Sequence, residues 1–277
     1  MTADDEPLST EGRALLDAAR PYDAVDILRS GVAAGEPSAP DLLVRAYLDT
    51  GNWQTAVDWL GPLVEQGHVR FAGRLGVALA EIGDEVRAEA ALRLAVRNGE
   101  LAAANDLAIL LRDGDRFGEA VQVLMRAADD GDEQAASNLV ALHLEEGDLG
   151  AAVTAAERYA DDARPDTVVA LADVRSLEGR LDEAEALYRR AGPALRAHTA
   201  YGHFLRDVRT DAAGAEREFR EAERHNEPGW ANTLGRFLVE EGRADEARGY
   251  LRTAVGWGDQ DAAELLAEID GDDPTDD

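Results

Sequence analysis

The sequence predicts an all-α protein built from stacked helical hairpins, on three observations. Alanine and leucine dominate the apolar residues while isoleucine occurs only at Ile27, Ile82, Ile109 and Ile269, so strong helix formers are plentiful and β-branched residues comparatively few. Residues 178 to 191, EGRLDEAEALYRRA, return almost unchanged at 241 to 254 as EGRADEARGYLRTA. An alanine also recurs on a grid of thirty-two residues through nearly the whole chain, and self-similarity at such a period is the mark of repeat architectures.

In chain order the grid runs Ala24, Ala56, Ala88, Ala120, Ala152 and Ala184, then slips by one residue to Ala215 and Ala247. Four residues after each anchor stand Leu28, Leu60, Leu92, Leu124, Ala156, Tyr188, Phe219 and Leu251, an apolar column throughout. Seven after it come Ala95, Ala127, Ala191, Ala222 and Ala254, and spacings of four and seven describe one face of a helix. Thirteen before it come Leu43, Leu75, Leu107, Leu139, Leu171 and Leu234, which place a first helix ahead of the anchor helix. Between the two, five before the anchor, lie Gly51, Gly83, Gly147, Gly179 and Gly242, with Gly114 one place further away; glycine ends the first helix by taking a left-handed conformation.

Each unit is thus a helix of about twelve residues, a turn such as TGNW, EGDL or EGRL, and a second helix whose small anchor lets the pair pack closely. One hairpin cannot bury its own apolar face. Stacked neighbours can, and each leucine so removed from water contributes roughly 1.5 to 3 kcal/mol before entropy. The seventh unit, AHTAYGHFLRDVRTDAAGAEREF, has a longer turn without the turn glycine. After the eighth, DQDAAELLAEIDGDDPTDD offers Asp259 as an N-cap and an apolar stripe at Ala262, Leu265, Leu266 and Ile269, as a capping helix requires. The expected organisation is a disordered tail over 1–7, the repeats over 8–256, the capping helix over 257–270 and an acidic tail over 271–277.

This pattern resembles the tetratricopeptide repeat. The resemblance rests on the leucine thirteen before the anchor, glycine twelve before it at Gly76 and Gly235, an aromatic nine before it at Tyr47, and turns such as GNWQTA. It departs in its period, 32 where the family usually has 34, and in having few closing prolines, Pro165 and Pro228 being the best. It implies a right-handed superhelical α-solenoid that binds along a concave surface lined by the first helix of each unit.

Charge and composition narrow the function. With 57 acidic residues against 28 basic ones the net charge is −29, which repels a phosphate backbone and argues against nucleic acid. All the bases are arginine, as in GC-rich coding, though escape from lysine-directed tagging or a high-salt cytoplasm would also suit a lysine-free acidic chain. No cysteine is present, which excludes disulfides, zinc thiolates and cysteine nucleophiles. The N-terminus lacks the basic start and apolar run of a signal peptide, and no stretch approaches eighteen apolar residues, so a soluble cytoplasmic protein is expected. Without lysine there is no P-loop or Schiff base, and neither G-x-S-x-G nor H-E-x-x-H occurs. His198 and His203 are five apart, off a shared helical face, and read as ordinary helix residues in place of a metal pair. The sequence therefore points to a non-enzymatic module with no cofactor.

Positions fifteen, eleven and eight before the anchor form one stripe along each first helix. They read Ser9, Arg13, Leu16; Asp41, Arg45, Leu48; Gly73, Val77, Ala80; Asn105, Ile109, Arg112; Ser137, Ala141, Leu144; Val169, Asp173, Ser176; in the seventh unit, shifted by one residue, Thr199, His203, Arg206; and Asn232, Arg236, Val239. Five arginines face two aspartates there, an inversion of the chain-wide balance. Arg45, Asn105, Arg112, His203, Arg206, Asn232 and Arg236 are thus the candidate peptide-binding residues, able to hold carboxylates or an extended backbone. The competing reading is that these arginines pair with acids on neighbouring helices. The partner expected is a protein or peptide segment; a regulatory sensor closing on a small signal is the alternative.

Overall fold

In a computed structural model, residues 6–192 and 194–271 are described; of the tails expected at 1–7 and 271–277, residues 1–5 and 272–277 lie outside the described residues, while Pro7 and Gly271 are helical. The chain divides into two compact units, Met1–Ala135 and Ala136–Asp277. The first holds α1 (Pro7–Asp17), α2 (Pro21–Ala34), α3 (Ala39–Asp49), α4 (Trp53–Glu65), α5 (Ala72–Glu81), α6 (Glu85–Arg97), α7 (Ala103–Asp113) and α8 (Phe117–Asp129). Next come α9 (Glu133–Glu145), which starts just before the boundary, α10 (Leu149–Tyr159), α11 (Pro165–Leu177), α12 (Leu181–Ala191), α13 (Ala197–Asp207), α14 (Ala212–Arg224), α15 (Trp230–Glu240), α16 (Ala244–Gly256) and α17 (Gln260–Gly271).

The anchor column is the centre of each hairpin. All eight anchor alanines have no exposed surface, and the column four residues on, from Leu28 to Leu251, is buried throughout. Where the first helix meets that second column, size is traded across the interface. A Cβ on Gly12 would lie 2.4 Å from Leu28, one on Gly76 2.5 Å from Leu92, one on Gly202 2.4 Å from Phe219 and one on Gly235 2.8 Å from Leu251. These four glycines admit a large side chain that any Cβ would displace. Leu43, Leu75, Leu107, Leu139 and Leu234 are buried as expected. Leu171 is only partly so, because Val168, Ala172 and Val174 take the deep positions of α11.

The turn inside each hairpin follows one rule. The residue five before the anchor has a left-handed backbone in all eight units: Gly51, Gly83, Gly147, Gly179 and Gly242, but also Ala19, Asp115 and Thr210, with φ of 55°, 57° and 54°. Gly114, read from the sequence as a displaced turn glycine, has φ −89°; Asp115 carries the turn instead. In seven turns the next N–H closes on a carbonyl five residues back, as Asn52 on Tyr47 and Arg180 on Arg175, the Schellman arrangement. In the seventh unit Asp211 bonds to Leu205, six back, so this turn holds one extra residue. The unit is nevertheless one residue short in period because α12 has 11 residues where α14 and α16 have 13.

The last helix closes the second unit. Asp259 caps it by accepting from the Ala262 N–H at 2.9 Å; Ala262 is buried, and Leu265, Leu266 and Ile269 pack on the core formed by α11 to α16.

Candidate interaction face

In each unit first helices lie beside one another: α1 touches α3 and α5 touches α7, while α11 touches α13 and α15 touches α17. Their anchor-facing sides are consumed by the core, which leaves one exposed face per unit.

On the first unit's face, Arg45 of α3 is half exposed and bridges two aspartates, Asp17 of α1 at 3.2 Å and Asp49 at 3.4 Å. Asn105 is partly buried on α7, and Arg112, one helical turn beyond exposed Ile109, pairs with Asp113 at 2.9 Å. On the second unit's face His203 turns its ring edge to Phe219, 5.2 Å between centroids, and burial followed by the nearby Arg206 charge holds its pKa below the usual histidine value. Arg206 lies between Asp207 at 2.6 Å and Glu240 of α15 at 3.1 Å. Asn232 donates to Asp259 at 2.8 Å while its buried Oδ1 accepts no hydrogen bond from the described residues. Arg236 is exposed, with no ion-pair partner among the described residues.

Two columns that sequence reading passed over explain these placements. Seven before the anchor stand Asp17, Asp49, Glu81, Asp113, Glu145 and Glu240, with Asp207 in the shifted seventh unit. An acid at a helix C-terminus opposes the macrodipole, and five of these carboxylates, Asp17, Asp49, Asp113, Asp207 and Glu240, are stabilised by an arginine beside them. They restore the charge balance that the three-position stripe had appeared to invert. Twelve after the anchor stand Glu36, Glu100, Asp132, Glu227 and Asp259. Glu36, just after α2, reaches back to the first helix of its own hairpin, accepting from the Leu8 N–H at 3.1 Å and from the Ser9 N–H and hydroxyl at 2.6 Å each. Burial alone would raise its pKa, but these three donors hold it below the ordinary carboxylate value. Glu227 does the same for α13, accepting from the His198 and Thr199 amides at 2.9 Å each. The position fifteen before the anchor, sixteen in the shifted seventh unit, therefore has its amide capped by the acid twelve after the same anchor in these places. Both columns repeat at thirty-two residues and were legible by the test that found the anchors.

Within the second unit Asp173 of α11 is partly buried and accepts a 2.5 Å hydrogen bond from the Tyr188 hydroxyl of α12. Tyr188 lies in an aromatic group with Tyr201, 5.7 Å away, and Phe204, 5.1 Å away. Burial pushes the Asp173 carboxyl up to about 6, with the Tyr188 hydrogen bond opposing. His198 does not pair with His203; its Nδ1 lies 2.8 Å from Glu218 and its ring stacks on His225 at 4.9 Å. Beside them Tyr188, Tyr201, His198 and Glu218 line a cavity of about 190 Å³. A second cavity of about 350 Å³ lies between α15 and α17, lined by Arg236, Val239, Leu265 and four acids. Among the described residues no helix is long and apolar enough to cross a membrane.

No protein-family profile matches the sequence, and no curated protein matches it. Solved structures do. A tetratricopeptide repeat protein from Parabacteroides merdae superposes with a TM-score of 0.53 at 13% identity, over 95% of this chain and 97% of that one. A thermophilic protein of the same repeat type from Thermus thermophilus gives 0.49 at 19% identity over 61% of this chain and 97% of its own. PilF of Pseudomonas aeruginosa gives 0.48 at 20% identity over 72% and 94%. Taken with the helical hairpins and their buried anchors, the likeness to the Parabacteroides protein identifies the fold of this chain as that of a tetratricopeptide-repeat protein.

Proposed function

We propose that the chain is a non-enzymatic interaction module that offers the exposed first-helix faces of its units to a peptide or protein segment. The observation that carries this reading is the layer of adjacent first helices in each unit, buried on one side by the anchor columns and left exposed on the other at Arg45, Ile109 and Arg236. Arg45, Asn105, Arg112, His203, Arg206, Asn232 and Arg236 remain the contact candidates. Arg236 is the freest to receive a new partner, whereas Arg45, Arg112 and Arg206 would exchange an existing acid for a ligand's, a small cost for pairs exposed to solvent. Two face variants, Ile109→Glu in the first unit and Arg236→Glu in the second, test it. Both should keep the wild-type circular dichroism and change affinity for peptides selected on the intact protein at least tenfold, Ile109→Glu by loss. Unchanged affinity in both would remove the faces from consideration.

A sensor for a small ligand is the second reading, favoured by the 190 Å³ cavity at Tyr188, Tyr201, His198 and Glu218. It predicts a melting shift of the pure protein by some member of a metabolite library, through mass action. A library without effect would leave the interaction module alone.

A further inference from the structure

We propose that the first-helix face of the second unit takes a basic segment, and that the Asp173 carboxylate receives one arginine or lysine side chain of it. This rests on the reading of that face as an interaction surface and deepens it by stating the partner's charge.

Asp173 lies in the middle of α11, on the stripe it shares with Val169 and Ser176. Tyr188 donates to one of its oxygens, and among the described residues no arginine or histidine lies within ion-pair distance of the other. Other acids of the same kind of face are neutralised: Asp17 and Asp49 by Arg45, Asp41 by Arg70 and Arg74, Asp207 and Glu240 by Arg206. A carboxylate drawn partly out of water without a cation destabilises the fold. Asparagine would accept the tyrosine hydrogen bond without that ionic penalty, so the charge itself serves something other than packing. A guanidinium or ammonium arriving from solvent would supply the missing counter-charge through charge-assisted hydrogen bonds.

The rest of the face carries an excess of acid. Glu240, Asp261, Glu264 and Glu268 outnumber the single cation, Arg236, around the 350 Å³ cavity between α15 and α17, where Val239 and Leu265 offer apolar surface to the stem of a long side chain. The net charge of −29 would speed the approach of a basic partner.

The experiment selects binders to the whole protein from a library of random extended peptides, using wild type, Asp173→Asn, and Asp182→Asn as a control on α12, where the side chain is fully exposed and paired with Arg209. Wild type and Asp182→Asn should both enrich arginine- or lysine-containing peptides. Asp173→Asn should bind those peptides at least tenfold more weakly while melting no lower than wild type. Enriched peptides without an excess of basic residues would overturn the inference and leave the interaction face standing. Equal binding by Asp173→Asn, or a lower melting temperature for it, would also overturn the inference, the latter by making the carboxylate structural. If wild type enriches no peptide at all, the interaction face fails and the inference with it.

Discussion

Thr210→Gly should stabilise the protein. Thr210 has φ 54°, in a turn where five of the other seven units place glycine. A left-handed backbone brings Cβ against the following carbonyl oxygen at a cost of roughly 1 to 2 kcal/mol, and a β-branched side chain sits at the upper end. Replacement by glycine removes that strain but adds roughly 0.5 to 1 kcal/mol of backbone freedom to the unfolded chain. Thr210 is exposed, and its hydroxyl bonds only the carbonyl of Arg209, so little else is lost. The net gain is about 1 kcal/mol, or about 2 to 4 °C in melting temperature for a chain of this size. Ala19→Gly, in the other unit and equally exposed, should give slightly less, and the two should add because they share no partners. Gly179→Ala is the reverse experiment, expected to cost about 1 kcal/mol. Urea unfolding followed by far-ultraviolet circular dichroism measures all four proteins and their combination. A neutral or destabilising Thr210→Gly together with a neutral Gly179→Ala would refute the claim that this position is strained for any residue with a Cβ.

Gly76→Ala should lose about 1 to 2 kcal/mol, since its Cβ would press on Leu92 and overpacking outweighs the helix propensity gained; a smaller partner, in the double variant with Leu92→Ala, should relieve the clash, which thermal melts would show. Glu227→Ala should cost about 1 to 2 kcal/mol by leaving the part-buried His198 and Thr199 donors without an acceptor, with faster amide exchange at the start of α13 as the local readout. Stability against pH separates two carboxylates of opposite sign. Glu89 is held at about 2 by Arg116, against burial and with help from Arg93, so its contribution is complete above its unfolded value of 4.5 and is lost as pH falls toward 2. Asp173, raised from 3.8 to about 6 by burial, is most favourable when protonated, and its contribution declines as pH rises from 4 through 6. At about 1.4 kcal/mol per pH unit the latter gap is worth up to about 3 kcal/mol, so Asp173→Asn should gain up to that much at pH 7 and nothing at pH 4. Equal gains at both pH values would refute the assignment.

The anchor alanines, the apolar columns on either side and most turn glycines were legible in the sequence. A repeating hairpin makes the same demand at the same place every thirty-two residues, and repetition turns weak single-residue preferences into a pattern. The partners of the candidate arginines were not legible in the stripe alone. Arg45 and Arg206 meet acids from the helices next to theirs, and that adjacency exists only once the hairpins stack. Ser9 stands on the same stripe and is held by Glu36, twenty-seven residues later, because the amides at a helix start can be satisfied by any acceptor that packing brings near. Asp173 was read as one of two acids among arginines, and only the packed structure leaves it with a tyrosine and no cation. The sequence by itself determined where helices begin, end and touch within a hairpin, since those are set by side-chain size and backbone freedom at fixed spacings. Which charges neutralise one another, and which, such as Asp173 and Arg236, are left without an ion pair among the described residues, was decided by tertiary structure, because an ion pair depends on distances between side chains that stacked units alone establish.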